Sequence, residues 1–254
     1  MFHFRRFSLR HSRSAQKVGT DGVLLGAWAD IAGAHRILDV GTGCGLIALM
    51  AAQRCEVAEV TGIDIDAPSV EEARENAAAS PFADRISIER ADILDYDAAP
   101  FDHILSNPPY HTEPLLPPDA RRAAARHTAD LPLPALINRA AHLLVPGGTL
   151  HIILPTAAFT EATSAATACG LRLVRRTDVC TTAAKPPKRL LLAWQRPAVI
   201  GRQTTVNGQW SMVNGPRSMV NGQWSMVNDT LTLTAPDGTR TPQHHALTQD
   251  FYIS

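Results

Sequence analysis

The run Leu105-Ser106-Asn107-Pro108-Pro109-Tyr110 combines residue types suited to one task, gripping a flat amino group. Prolines fix φ and lack an N–H, so the stretch is rigid and the main-chain oxygen of Pro108 can project toward a ligand. The amide oxygen of Asn107 is a second acceptor. Two acceptors facing one NH₂ answer a specific difficulty: an exocyclic or amide nitrogen is a poor nucleophile because its lone pair is delocalised. Accepting both N–H bonds favours a pyramidal nitrogen and stabilises the positive charge that grows as the nitrogen is alkylated. No base of shifted pKa is needed, because the proton can leave afterwards. Tyr110 adds a π face on which a flat group stacks. Asn107, Pro108 and Tyr110 are therefore the candidate catalytic residues. A proline-rich structural turn is the plain alternative, and the residues upstream weigh against it.

Those residues supply an electrophile site. Asp39-Val40-Gly41-Thr42-Gly43-Cys44-Gly45 follows an apolar run, and its glycines allow a tight turn with a ligand lying against the backbone. A dinucleotide fingerprint would place its last glycine one residue later. GxGxG after an acid is the S-adenosylmethionine pattern, with Gly41, Thr42 and Gly43 as candidate contacts. About 20 residues further on, Asp64 ends a strand, where a carboxylate can accept both ribose hydroxyls. Asp66 points the other way and reads as a helix cap. Asp92 ends the next strand, placed to accept from the adenine amino group of the cofactor. The sulfonium would carry the hard chemistry while the protein aligns nitrogen, methyl and sulfur in line, with Asn107 at the junction.

Such residues need a scaffold that gathers strand ends. Strands are expected at Arg36–Val40, Val60–Ile65, Ile86–Arg90, His103–Ser106 and Thr149–Leu154, alternating with helices Leu46–Arg54, Ser69–Ala79 and Leu133–Leu144. This alternation predicts an α/β fold, a parallel sheet wrapped by helices with ligands at the strand carboxyl ends. Pro146-Gly147-Gly148 is expected to stop the third helix and turn into the next strand. After a helix Thr160–Ala168 closed by Gly170, consecutive strands Leu171–Val179, Arg189–Gln195 and Thr230–Thr234 suggest a terminal antiparallel portion. From Val206 to Asn228 the sequence repeats every seven residues (VNGQWSM, VNGPRSM, VNGQWSM, VN). Asn-Gly in each unit and Pro216 defeat a coiled coil, and three short units build no solenoid, so a surface loop is expected.

Composition narrows the partners. With 24 basic and 24 acidic residues in 254 the formal charge is zero, so any grip on nucleic acid must be local. Arg5, Arg6, Arg10 and Arg13 near the start, and Lys185, Lys188 and Arg189 later, are candidate contacts to an RNA backbone. Cys44, Cys55, Cys169 and Cys180 show no CxxC pair or metal-like spacing, so no metal is expected. No apolar run reaches the roughly 18 residues of a membrane span, and no apolar segment follows the basic start, so a cytoplasmic protein is expected.

Asn107–Tyr110 with the upstream loop resembles the (N/D)PP(Y/F) class of amino-group methyltransferases. Phe2-His3-Phe4-Arg5-Arg6-Phe7, Lys17 to Trp28 (KVGTDGVLLGAW), Ala125-Arg126-His127-Thr128, Arg176-Thr177-Asp178-Val179 and Leu247 to Tyr252 (LTQDFY) narrow this. Together they resemble the bacterial tRNA methyltransferases that act on adenine 37 of valine tRNA. The resemblance implies a Rossmann-like class I methyltransferase with a mostly parallel seven-stranded sheet, S-adenosylmethionine as cofactor, and N6-methyladenine formed beside the anticodon. By the same resemblance, residues 1–34 would close over the cofactor, with Lys17 to Asp21 at its methionine end (Lys17, Gly19 and Thr20 as contacts) and Asp39 orienting its amino group. Residues 35–200 and 229–254 would form the methyltransferase domain. The repeat, 201–228, departs from the family pattern and leaves the place of the last strand open.

Three other readings share this logic. A glutamine-N5 protein methyltransferase faces the same amide problem, but that class carries a helical domain ahead of the first strand, and only about 35 residues precede it here. A guanine-N2 rRNA methyltransferase is similar; DNA adenine methylation would need a separate recognition domain. An RNA-binding adaptor keeping only the fold would have no use for Asn107, Tyr110, Asp64 and Asp92 together.

Overall fold

The computed structural model describes residues 1–14, 17–109, 131–198 and 226–253. Tyr110, residues 125–128 and nearly all of the repeat lie outside them. A short hairpin, β1 (Phe2–His3) with β2 (Ser8–Leu9), precedes α1 (Thr20–Trp28). Then follow β3 (Arg36–Val40), α2 (Leu46–Arg54), β4 (Glu59–Asp64), α3 (Ala67–Ala78), β5 (Ile86–Arg90) and β6 (Phe101–Ser106). The chain continues through α4 (Leu133–Leu143), β7 (Leu144–Pro155), α5 (Phe159–Ala168), β8 (Arg172–Cys180), β9 (Arg189–Gln195), β10 (Val227–Thr232) and α6 (Pro242–Thr248). Among the described residues no helix is long and apolar enough to cross a membrane.

The main sheet has eight strands in the order β10-β8-β9-β7-β6-β3-β4-β5. Strands β7, β6, β3, β4 and β5 are mutually parallel, and β9 is antiparallel to both β7 and β8. This is the expected α/β architecture with one strand more than seven. The eighth is β10, displaced toward the repeat from the expected 230–234. It pairs parallel with β8, not antiparallel, because the chain leaves β9 and re-enters on the far side of β8. The sheet divides two apolar clusters. One holds α1, α2, α3 and the N-terminal hairpin; the other holds α4 and α5.

Two glycines bring α1 against α2. A Cβ on Gly22 would lie 3.0 Å from the Leu46 side chain, and one on Gly26 would lie 2.7 Å from Met50 Sδ. Trp28, at the end of α1, donates through Nε1 to Thr177 Oγ1 at 2.8 Å, fixing that helix across the sheet. Pro146-Gly147-Gly148 does not turn the chain as expected. Gly147 takes φ +87°, and the three residues make an irregularity inside β7. Main-chain bonds from Gly147 N to Arg196 O (2.9 Å) and from Arg196 N to Gly148 O (2.8 Å) hold it in the sheet. The ladder thereby extends to Leu144.

Candidate active site

The register of β3 against β6 pairs Val40 with Ser106, and Ser106 Oγ donates to Val40 O at 3.0 Å. The next residues, Gly41 and Asn107, therefore leave the carboxyl edge side by side. Asn107 is half-buried and Pro108 buried. Tyr110 is outside the described residues.

Beside them the glycine loop is built from beneath. Asp39 is fully buried, and its Oδ2 accepts from Thr42 Oγ1 (2.7 Å) and from Ala48 N (3.1 Å), clamping the loop to the first turn of α2. Burial pushes its carboxyl up to about 7 against those two hydrogen bonds. Its Oδ1 is enclosed with no partner among the described residues. Gly62 on β4 makes room for this clamp: a Cβ there would sit 2.7 Å from Thr42 Oγ1. Gly41 and Gly43 adopt φ +70° and +55°, and a Cβ on either would meet nothing within 4 Å among the described residues. The loop thus turns a bare, left-handed backbone outward, a shape that accepts a ligand and that other residues would strain.

The two carboxylates predicted at successive strand ends are there. Asp64 Oδ2 accepts from Gly43 N and Oδ1 from Asp66 N, both at 2.9 Å. Burial raises its carboxyl, opposed by those N–H groups. Each oxygen keeps a lone pair for a further donor. Ala91 N donates to Asp64 O at 3.1 Å, so Asp92 follows on the neighbouring strand end. Asp92 is exposed, and its Oδ1 accepts from Leu94 N at 2.9 Å. Asp66 caps α3, accepting from Ser69 N (3.0 Å) and Ser69 Oγ (2.6 Å), the structural role its parity suggested.

Lys17, Gly19 and Thr20 are exposed at the start of α1. Gly19 is the residue that caps the helix, through main-chain geometry alone. Among the described residues, then, Asn107, Gly41, Gly43, Asp64 and Asp92 share one edge, and the open loop with two carboxylates beside it suits an S-adenosyl group.

Residues 14–163 match the family model of the methyltransferase small domain. The tRNA1(Val) (adenine(37)-N6)-methyltransferase of Phocaeicola vulgatus is 49% identical over 195 residues, 76% of this chain and 83% of that one. That of Porphyromonas gingivalis is 43% identical over 264 aligned positions, 100% of this chain and 95% of its own. The chain belongs to the tRNA1(Val) (adenine(37)-N6)-methyltransferase family. The fold is also that of a predicted O-methyltransferase from Agrobacterium tumefaciens whose crystal structure superposes with a TM-score of 0.62. It has 21% identity, covering 91% of this chain and 96% of that one.

Within this family member, the basic residues read from sequence divide between two edges. Arg6 stacks 5.2 Å over Phe82. Phe82 leads into β5, and Arg85 just after it bonds the Cys55 and Ala58 carbonyls below α2. Arg5 donates through Nε to Tyr252 O at 2.8 Å, beside Asp250, whose carbonyl meets Gln53 in the last turn of α2. Arg5 and Arg6 therefore lie at the amino edge, away from Asn107. Arg13 pairs with Glu75 at 2.5 Å and Glu71 at 3.9 Å, and Arg10 stands 3.8 Å from Glu75. Lys185 and Lys188 belong to the β8–β9 connection and Arg189 opens β9, all at the carboxyl edge because Val179 pairs with Arg189 there. Lys185 and Lys188 are exposed, whereas Arg189 is ion-paired with Asp21 at 2.8 Å.

Glu72, an acid within α3, anchors the N-terminal segment. It is fully buried, and it accepts from Ser12 N (2.7 Å), Ser12 Oγ (3.0 Å), Arg13 N (3.1 Å) and Ser14 N (2.8 Å). Burial pushes its carboxyl up, but the N–H groups of Ser14, Arg13 and Ser12 outweigh that and hold it at about 2. Asn76, one turn on, accepts from Arg10 N and donates to the carbonyls of Arg10 and Cys44. Glu72→Gln should lower unfolding free energy at neutral pH by about 2–3 kcal/mol, since one charge satisfies several donors. Because the folded value lies below the ordinary 4.5, the deficit should be full above that pH and shrink as pH falls toward 2. Denaturant titrations of both proteins at several pH values check this; a deficit that persists in acid would refute it.

Proposed function

We propose that the chain transfers a methyl group from S-adenosylmethionine to N6 of adenine 37 in valine tRNA. The observation that carries this reading is the side-by-side departure of Gly41 and Asn107 from one edge, which sets an amine-gripping amide next to a donor loop. Bound there, S-adenosylmethionine supplies an activated methyl on a positive sulfur. The chain does the rest by placement. Asp64 and Asp92 hold the donor's ribose and adenine, and the Gly41–Gly43 backbone lets it approach. Asp39 keeps the loop in shape and offers Oδ1, without a donor among the described residues, to the amino group above it. Lys17, Gly19 and Thr20 face the methionine end as residues 1–34 close the site. Asn107 and the Pro108 carbonyl accept the two N–H bonds of the adenine amine, and Tyr110 stacks on the ring. An anticodon loop presents an unstacked base at modest cost.

The deciding experiment is transfer of labelled methyl to bulk tRNA, followed by mapping of the modified nucleotide. Label at adenine 37 supports the proposal. Label in a protein glutamine, or none in RNA with donor still bound, would favour the rival enzyme or an adaptor. We assign backbone contact chiefly to Lys185 and Lys188, exposed residues of the β8–β9 connection at the same edge as Asn107. RNA affinity should fall with salt with a log–log slope reporting a few phosphates, and Lys188→Ala should lower that slope by about 1. An affinity independent of salt would reject the assignment.

A further inference from the structure

Arg189 stands among the basic residues expected to contact RNA, yet its guanidinium is bonded within the chain, to Asp21 and to the Lys188 carbonyl. Nε donates to Asp21 Oδ2 at 2.8 Å, with only 35% and 31% of the two side chains exposed. The partners come from distant parts of the chain. Asp21 is the second residue of α1, and Arg189 opens β9, paired with Pro155 at the carboxyl end of β7. On the other side, Gly22 lies against Leu46, which opens α2 directly after the glycine loop. The start of α1 is therefore held between the glycine loop at β3 and the first residue of β9. In sheet order, β6 and β7 lie between β3 and β9, and β6 is the strand that delivers Asn107.

We infer that the Asp21–Arg189 ion pair is a positioning device for methyl transfer: it fixes the first turn of α1, with Gly19 and Thr20, beside the strand end that carries Asn107. The inference rests on reading this edge as the methyl-donor site. An ion pair suits the task better than apolar packing, because it specifies one register of a short helix against a strand end. Gly19 leaves the helix start with main-chain capping only, so this remote tie sets where its N–H groups point. Arg189 thereby drops out of the RNA surface, leaving that role to the exposed Lys185 and Lys188.

The full-length protein tests this with Asp21→Asn, Arg189→Met, Arg189→Lys and the charge swap Asp21→Arg with Arg189→Asp. Donor affinity is measured by calorimetry with S-adenosylmethionine, turnover on bulk tRNA, and folding by thermal unfolding. Asp21→Asn and Arg189→Met should each raise KM for the donor about tenfold, with kcat changed less than about threefold. Arg189→Lys should recover most of the loss, and the swap should bring KM back to within about threefold. The salt slope of tRNA affinity should be the same in all of them. Single variants with normal donor KM would overturn the inference. So would a swap that restores thermal stability but not donor affinity, or a salt slope that drops by about 1 when Arg189 is replaced. A wild-type chain that binds no donor at all would instead sink the reading of the site, and this inference with it.

Discussion

Replacing Asn107 by alanine should lower the rate of methyl transfer by at least about 10³-fold while leaving donor affinity within a few-fold of wild type. Timing decides the effect. The adenine amine is neutral and planar before reaction and gains positive charge only as the carbon–nitrogen bond forms. An acceptor aimed at its hydrogens therefore stabilises the transition state far more than the bound substrate, and its loss falls on kcat. Asn107 can serve because it follows Ser106, whose pairing and side-chain bond to Val40 fix the strand end, and because buried Pro108 restricts the next turn. Asn107→Asp makes a useful companion: a carboxylate is still an acceptor, so its activity should lie between the other two. Single-turnover transfer to tRNA, with donor affinity measured separately, checks both. Near-normal turnover in Asn107→Ala would show that the amine is activated by something else.

The second large effect is expected at Asp64 and should show the opposite signature. Asp64→Ala should raise KM for the donor about 100-fold and change kcat much less once donor is saturating. The carboxylate already holds Gly43 N and Asp66 N, so its removal loosens the glycine loop as well as deleting two acceptors for ribose hydroxyls. Hydrogen bonds to a charged group contribute about 1.5–3 kcal/mol each, so losing two costs at least about 3 kcal/mol and makes about 100-fold the lower bound. Asp92→Ala should be milder, because Asp92 is exposed and its described bond is the local one to Leu94 N. Calorimetric titration of S-adenosylmethionine into each variant decides the matter. Unchanged affinity in Asp64→Ala would move the donor away from β4.

The parts of this site that were legible in the sequence are those written in local chemistry. The glycine spacing, Asp64, Asp92 and the Asn107–Tyr110 run each announce a strand end, and parallel βα units bring strand ends to one edge. Strand Arg36–Val40 and helix Leu46–Arg54 have the expected bounds because apolar burial and turn residues agree there. What was not legible depends on distant partners. Glu72 looks like any acid on a helix until four donors from residues 12–14 are seen to converge on it. Arg189 looks like part of a basic cluster until Asp21, 168 residues away in the chain, takes its charge. Arg5 and Arg6 were grouped with the later basic residues by type alone, and only the topology separates the edges. The place of β10 depended on which side of β8 the chain re-enters, which no periodicity encodes.

That re-entry also bears on how this protein can change. The described strands on either side of the seven-residue repeat are β9 and β10, the second of which opens with the repeat's last two residues, Val227 and Asn228; they respectively end and begin on the side of the sheet opposite Asn107, where Gln195 pairs with Thr149 and Arg172, and Val227 with Arg175. One repeat unit equals seven codons, so slippage during replication that adds or drops a whole unit preserves the reading frame. It would also alter the chain only where its two anchors face away from the reacting atoms. A change in copy number at this place is therefore expected to leave the rate of methyl transfer unchanged. The same position offers a benign point at which to insert a label or a tag.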